Sequence, residues 1–145
     1  MGGAAKGLVE LSPGRTIIEK LLAEIASAGI GETIIVSGDA DAYSRFGIPV
    51  VPDIRSGAGP LAGIEAGLAH YAGAHEATLF LPCDLPGMTS REIRALVDAY
   101  PSGREAVALA HLGAFSGEPL CVVVHNALLE AVSAALDAGR RRAVH

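Results

Sequence analysis

The sequence predicts an α/β domain built on a mostly parallel sheet, and three observations carry that prediction. Short apolar, often β-branched runs alternate with segments whose apolar residues recur at helical spacing. Two of the runs stop at a proline with an aspartate just beyond, Pro52-Asp53 and Pro82-Cys83-Asp84. Half of the 145 residues are apolar, yet only 4% are aromatic and Trp is absent, which suits a sheet covered by helices on both faces.

The chain opens on glycines and Lys6, then Leu8-Val9-Glu10-Leu11 and a turn at Ser12-Pro13-Gly14. Thr16 and Glu19 have capping-box spacing, and Ile18, Leu21, Leu22 and Ile25 fall on one face of a helix ending near Gly29. Strands are predicted at 32–36 and 48–51, with a polar stretch from Ser37-Gly38-Asp39 between them. The glycine-rich loop Gly57-Ala58-Gly59-Pro60-Leu61-Ala62-Gly63 then opens a helix, with Pro60 in its first turn and Ile64, Leu68 and Tyr71 on one face. The run from Leu79 reads as a buried strand. A second capping box, Thr89-Ser90-Arg91-Glu92, starts a helix carrying Ile93, Leu96, Val97 and Tyr100. Strands follow at 106–110 and 120–124, and Asn126 is placed to cap a last helix that ends at Gly139. No repeat or low-complexity linker divides the chain, so one domain over 1–145 is expected.

A net charge of −5 offers no electrostatic footprint for nucleic acid or an anionic membrane. No apolar run approaches membrane-spanning length and no secretory leader opens the chain. Cys83 and Cys121 lie far apart beside apolar residues and read as reduced thiols, so a cytoplasmic location is expected.

The candidate site residues cluster where predicted strands end, and in open α/β sheets ligands bind outside those carboxyl ends. Asp84 fits two roles, a turn cap or a Mg²⁺ ligand working with phosphate oxygens and water. Asp53 fits the same two roles one strand away, if the two strands are neighbours. The loop through Gly59, Pro60 and Gly63 runs from a strand-end carboxylate into a helix start, whose amides suit an anion or a base edge; a plain flexible loop is the other reading. Lys6 matches neither a P-loop nor a dinucleotide fingerprint. A nucleophilic role for Cys83 would need a paired histidine, and no spacing supplies one.

Taken together, these motifs resemble the molybdenum cofactor guanylyltransferase family, also called molybdopterin-guanine dinucleotide biosynthesis protein A. That family opens with a strand and the loop Leu-Ala-Gly-Gly-x-x-x-Arg-Met-Gly-Gly, followed by Lys and Gly-Leu-Leu-Glu-Leu. Met1-Gly2-Gly3-Ala4-Ala5-Lys6-Gly7-Leu8-Val9-Glu10-Leu11 is similar to its second half. Asp53, Gly59 to Gly63, and Pro82-Cys83-Asp84-Leu85-Pro86 match the family's later motifs in order, and Gly117-Glu118-Pro119-Leu120 matches a weaker one.

The resemblance implies a three-layer, Rossmann-like nucleotidyltransferase fold of the nucleotide-diphospho-sugar transferase type. It implies transfer of GMP from GTP to the molybdopterin cofactor with release of pyrophosphate, and contact with other proteins of that cofactor's biosynthesis. Position by position, Lys6 would contact the nucleotide phosphates and Ser37 would sit near the guanosine. Asp53 with Gly59, Pro60, Leu61, Ala62 and Gly63 would hold the guanosine, and Asp84 would bind Mg²⁺. The family's first strand, its Leu-Ala-Gly-Gly half-loop and its C-terminal Asn-x-Asn-Thr-Pro segment have no counterpart in residues 1–145. Since that strand belongs inside the sheet, weak or no activity is expected of these residues by themselves. A cytidylyl- or sugar-phosphate nucleotidyltransferase is the neighbouring enzyme reading, and a non-catalytic nucleotide-binding remnant of the fold is the reading from another class.

Overall fold

The computed structural model describes residues 6–55, 57–83, 87–100, 107–109 and 121–139. After a 3₁₀ turn at Lys6–Leu8, β1 (Glu10–Ser12) and β2 (Arg15–Thr16) form a small antiparallel hairpin around the predicted Pro13-Gly14 turn. Thr16 ends the hairpin and caps α1 (Ile17–Ser27), its Oγ1 accepting the Glu19 N–H at 3.3 Å. Ile18 and Leu21 of that helix are buried, as their spacing predicts.

β3 (Ile35–Val36) and β4 (Val50–Val51) pair in parallel. Between them lie α2 (Ala40–Tyr43) and a 3₁₀ turn at Ser44–Phe46. The glycine-rich loop leads into α3 (Pro60–Tyr71), where Ile64, Leu68 and Tyr71 are buried. β5 (Ala77–Phe80) follows, then α4 (Ser90–Ala99) with both halves of the predicted capping box formed at Thr89 and Glu92. β6 (Val107–Leu109), β7 (Val122–His125) and α5 (Leu129–Asp137) complete the described elements.

The core is arranged about β7, the middle strand of a sheet ordered β5-β7-β6. Successive side chains of a strand point to opposite faces. Val123 accordingly joins Leu21 of α1 and Ile93 and Leu96 of α4, while Val122 and Val124 join Ile64 and Leu68 of α3 and Leu136 of α5. Helices therefore cover both faces of this sheet, as the composition predicts.

Strand direction departs from the expectation at the β1–β2 hairpin and at β7. Among the described residues only β3–β4 is parallel, whereas β1–β2, β5–β7 and β6–β7 are antiparallel. Alternation of helix and strand implies parallel strands only where each crossover returns the chain to the same end of one sheet. β7 enters its sheet from the opposite end, and nothing in its apolar run encodes that direction.

The last helix also starts differently. Asn126 caps nothing; it is buried, and its side chain ties three segments together. Its Nδ2 donates to the Tyr71 carbonyl at 3.2 Å and the His75 carbonyl at 2.8 Å, and its Oδ1 accepts from Thr78 Oγ1 at 2.7 Å. His125 takes the cap of the 3₁₀ turn at Asn126–Leu128, its Nδ1 accepting the Ala127 N–H.

The run from Leu79, predicted as a buried strand, falls on β5, of which only Thr78 is buried; Ala77, Leu79 and Phe80 are half-buried. The cause is its second edge. The Asn126 N–H reaches the Glu76 carbonyl at 2.8 Å, so in this antiparallel register Thr78 and Phe80 bond to β7 and the peptide groups of Ala77 and Leu79 turn the other way. On β3, the N–H groups of Ile35 and Ser37 bond to Pro49 and Val51, which turns the Val36 peptide groups away from β4. A cavity of about 880 Å³ is lined by both of these strands, with α1 and α3 on its flanks. α3 lies so close to β5 that a Cβ on Gly67 would come within 2.5 Å of the Phe80 ring.

Candidate active site

The cavity collects the ends of three strands. Ser37 follows β3, Asp53 follows β4, and Pro82 and Cys83 follow β5; all four line it, together with Gly59, Pro60, Gly63 and Tyr43. β4 and β5 are not neighbours in a sheet, contrary to the adjacency the paired-carboxylate reading assumes. Asp53 and the Pro82-Cys83 segment nevertheless face one space.

Ser37 is half-buried and its Oγ accepts the Asp39 N–H at 3.1 Å, which fixes the polar turn leaving β3. Gly59 precedes α3 with φ +86° and ψ −171°, a backbone region that only glycine occupies readily. The turn therefore depends on Gly59. Gly63, on the first turn of α3, would place a Cβ 3.8 Å from Asp53 Oδ1, so the carboxylate lies against the start of the helix. Leu61 and Ala62 are buried in the core between α3 and α5, so their side chains pack there, and the Ala62 N–H is taken by the Gly59 carbonyl at 3.1 Å.

Asp53 is half-buried and has no hydrogen-bond or ion-pair partner among the described residues. Burial pushes its carboxyl above the usual carboxylate range. A raised acid stabilises the fold in its protonated form, fully below the unfolded pKa, and that contribution is lost as pH rises through the folded value. Asp53→Asn is therefore expected to melt above the parent at pH 7, with the gap closing as the pH falls through the carboxylate range. Parallel thermal scans across pH check this, and a gap independent of pH would contradict it.

The backbone of Lys6 lies in the first 3₁₀ turn, its side chain is outside the described residues, and so is Asp84. Their neighbours meet: a Cβ on Gly7 would lie 3.1 Å from Cys83 Cβ and 3.3 Å from its Sγ. Among the described residues no group of three or more His, Cys, Asp or Glu side chains gathers as a metal cluster.

The family model for a MobA-like NTP transferase domain matches residues 1–145. The chain belongs to this family. A molybdenum cofactor guanylyltransferase of Photobacterium profundum is 30% identical over 144 residues, spanning 99% of this chain and 72% of that protein. One from Vibrio atlanticus is 31% identical over 145 residues, with the same two shares. In fold, the chain is similar to the crystal structure of molybdopterin-guanine dinucleotide biosynthesis protein A from Archaeoglobus fulgidus. The TM-score is 0.66 at 21% identity, over 94% of this chain and 67% of that one.

Two residues of this MobA-like domain escaped the sequence reading. Tyr43 is buried at the cavity wall, where burial first and the neighbouring Cys83 thiol second push its hydroxyl upward in pKa. Its polar surroundings gave no periodic signal. Arg55 lies just ahead of the glycine-rich loop and bonds to Glu65 of α3. A signal did exist there: Glu65 is a lone charge in the apolar run from Leu61 to Leu68, and such a charge requires a partner.

Proposed function

We propose that this chain transfers GMP from GTP to the molybdopterin cofactor, releasing pyrophosphate, on a three-layer nucleotidyltransferase fold with a mostly parallel sheet. The observation that carries the reading is the seating of Gly7 against Cys83 beside the cavity that Asp53 and Gly59 line. It brings the neighbours of Lys6 and Asp84 together, with Cys83 on the cavity that the Gly59 turn also lines. The same reading seats the family's first strand in the cavity between β3 and β5, where the peptide groups of Val36 and Leu79 face no partner strand among the described residues.

In the reaction, a phosphate oxygen of the acceptor attacks the α-phosphorus of GTP. The new P–O bond forms there as the bond to pyrophosphate breaks. Such a transfer needs alignment and charge neutralisation more than a protein nucleophile. Asp53, accepting only, would take donors from the guanosine, and the amides at the start of α3 would face it across the Gly59 turn. Ser37 would border the guanosine from β3. Lys6 would offset phosphate charge.

Asp84 fits Mg²⁺ by chemistry, since a carboxylate oxygen suits a hard cation that also takes phosphate oxygens and water. When bound, the ion supplies neutralisation of the phosphate oxygens. Two cysteines outside any disulfide agree with a cytoplasmic enzyme, and no described helix is long and apolar enough to cross a membrane.

The test is product formation from GTP labelled at the α-phosphate, supplied with Mg²⁺ and molybdopterin. The expected result is label in a dinucleotide with equimolar pyrophosphate. Preferential transfer from CTP, or label released only as free GMP, would contradict the assignment.

A further inference from the structure

Arg55 lies two residues beyond Asp53 and four before Gly59, in a stretch without regular structure. Its guanidinium grips two helices. Nε donates to Glu65 Oε1 at 3.1 Å and Nη2 to Glu65 Oε2 at 3.3 Å, while Nη1 donates to Asp137 Oδ1 at 2.7 Å at the end of α5. The Glu65 side chain is only 4% exposed, whereas Asp137 is at the surface, so the Arg55–Glu65 contact is the one shielded from solvent. The Arg55 carbonyl also accepts the Ala58 N–H at 3.2 Å, closing the turn that leads to Gly59.

The loop straddles the start of α3. Asp53 and Gly63 line the cavity, whereas Arg55 and Glu65 do not. Residues 63 and 65 lie on opposite sides of a helix, since two steps turn it by about 200°. The loop is thus pinned on the far side of α3 while presenting its carboxylate on the near side.

We propose that the Arg55–Glu65 pair, extended by Asp137, is a positioning clamp that sets where Asp53 and the Gly59 turn meet the nucleotide. The clamp touches no ligand. Its link to GTP rests on the function proposed above; the pinning of the loop does not.

The test compares Arg55→Met with the double variant Arg55→Met/Glu65→Leu. The single variant leaves a buried carboxylate unpaired and is expected to lose stability. The double variant replaces the pair by apolar groups, which restores stability where packing allows. In the double variant, at restored stability, amide exchange over residues 53–59 is expected to accelerate while α3 and β5 stay protected. The dissociation constant for GTP with Mg²⁺ is expected to rise about tenfold or more, the scale of losing support behind a binding group. Arg55→Lys, which keeps the charge but not the fork, is expected to fall between parent and single variant.

Unchanged exchange over 53–59 in a stable double variant would overturn the clamp, whatever GTP does. Recovery of parental GTP affinity together with stability would reduce the pair to a structural contact and overturn its positioning role. Should the parent bind no GTP, the exchange arm still decides the clamp, and the functional reading alone falls.

Discussion

Asn126→Ala is expected to destabilise the fold by about 3 kcal/mol, the sum of a buried truncation and polar groups left unpaired. The substitution removes both donors that Asn126 supplies to the Tyr71 and His75 carbonyls at the end of α3. It also strips the acceptor from Thr78 Oγ1 on β5, a residue only 7% exposed. Asn126→Asp is expected to be at least as damaging, because it turns the amide donors into an acceptor facing two carbonyls. Urea denaturation checks both variants. A lower midpoint at unchanged slope is the expected form, and a loss under about 1 kcal/mol for Asn126→Ala would mean that water or a neighbour takes over these bonds.

Asp84→Asn is expected to reduce guanylyl transfer on the order of 10³-fold, the scale of losing one electrostatic stabiliser of a transition state. The choice of asparagine separates the two roles that the sequence leaves open. As a turn or helix cap, Asn serves about as well as Asp, so a capping role predicts near-parental activity and stability. As a Mg²⁺ ligand, Asn loses the charge that holds the ion, so stability stays and the dependence of rate on Mg²⁺ shifts to far higher concentrations. Titrating turnover against Mg²⁺ for parent and variant reads the difference. Identical curves would assign Asp84 to the turn.

How much of this was legible in the sequence divides along local and non-local lines. Thr16 with Glu19, and Thr89 with Glu92, are local signals satisfied within one helical turn, and both helices start where those residues put them. The buried faces at Ile18 and Leu21, and at Ile64, Leu68 and Tyr71, were legible for the same reason: helical periodicity is a property of a short window. Strand direction was not legible, because Val122 to Val124 are equally apolar whichever end of the sheet they enter. Asn126 was misread because a polar residue before a helix fits a cap locally. Its real partners, Thr78, Tyr71 and His75, are about fifty residues away in sequence.

At the site, Ser37, Asp53, Gly59, Pro60 and Gly63 were singled out from strand ends, a glycine-rich loop and a family resemblance, and one cavity unites them. Leu61 and Ala62 were carried along by the motif, although their side chains belong to the core. A motif records which positions lie together along the chain; it does not say which of them turn inward. Arg55 is the converse case. No motif includes it, yet its bond to a buried carboxylate makes it part of the loop's architecture.

On the function proposed above, this cavity binds a guanine nucleotide together with Mg²⁺. The decisive measurement is calorimetric titration of the chain with GTP, CTP, UTP and ATP, each with and without Mg²⁺. GTP is expected to bind in clear preference to the other three, with the preference dependent on Mg²⁺ and weakened by Asp53→Asn. Binding that ignores the base and the metal alike, or a fold that binds none of the four, would contradict it.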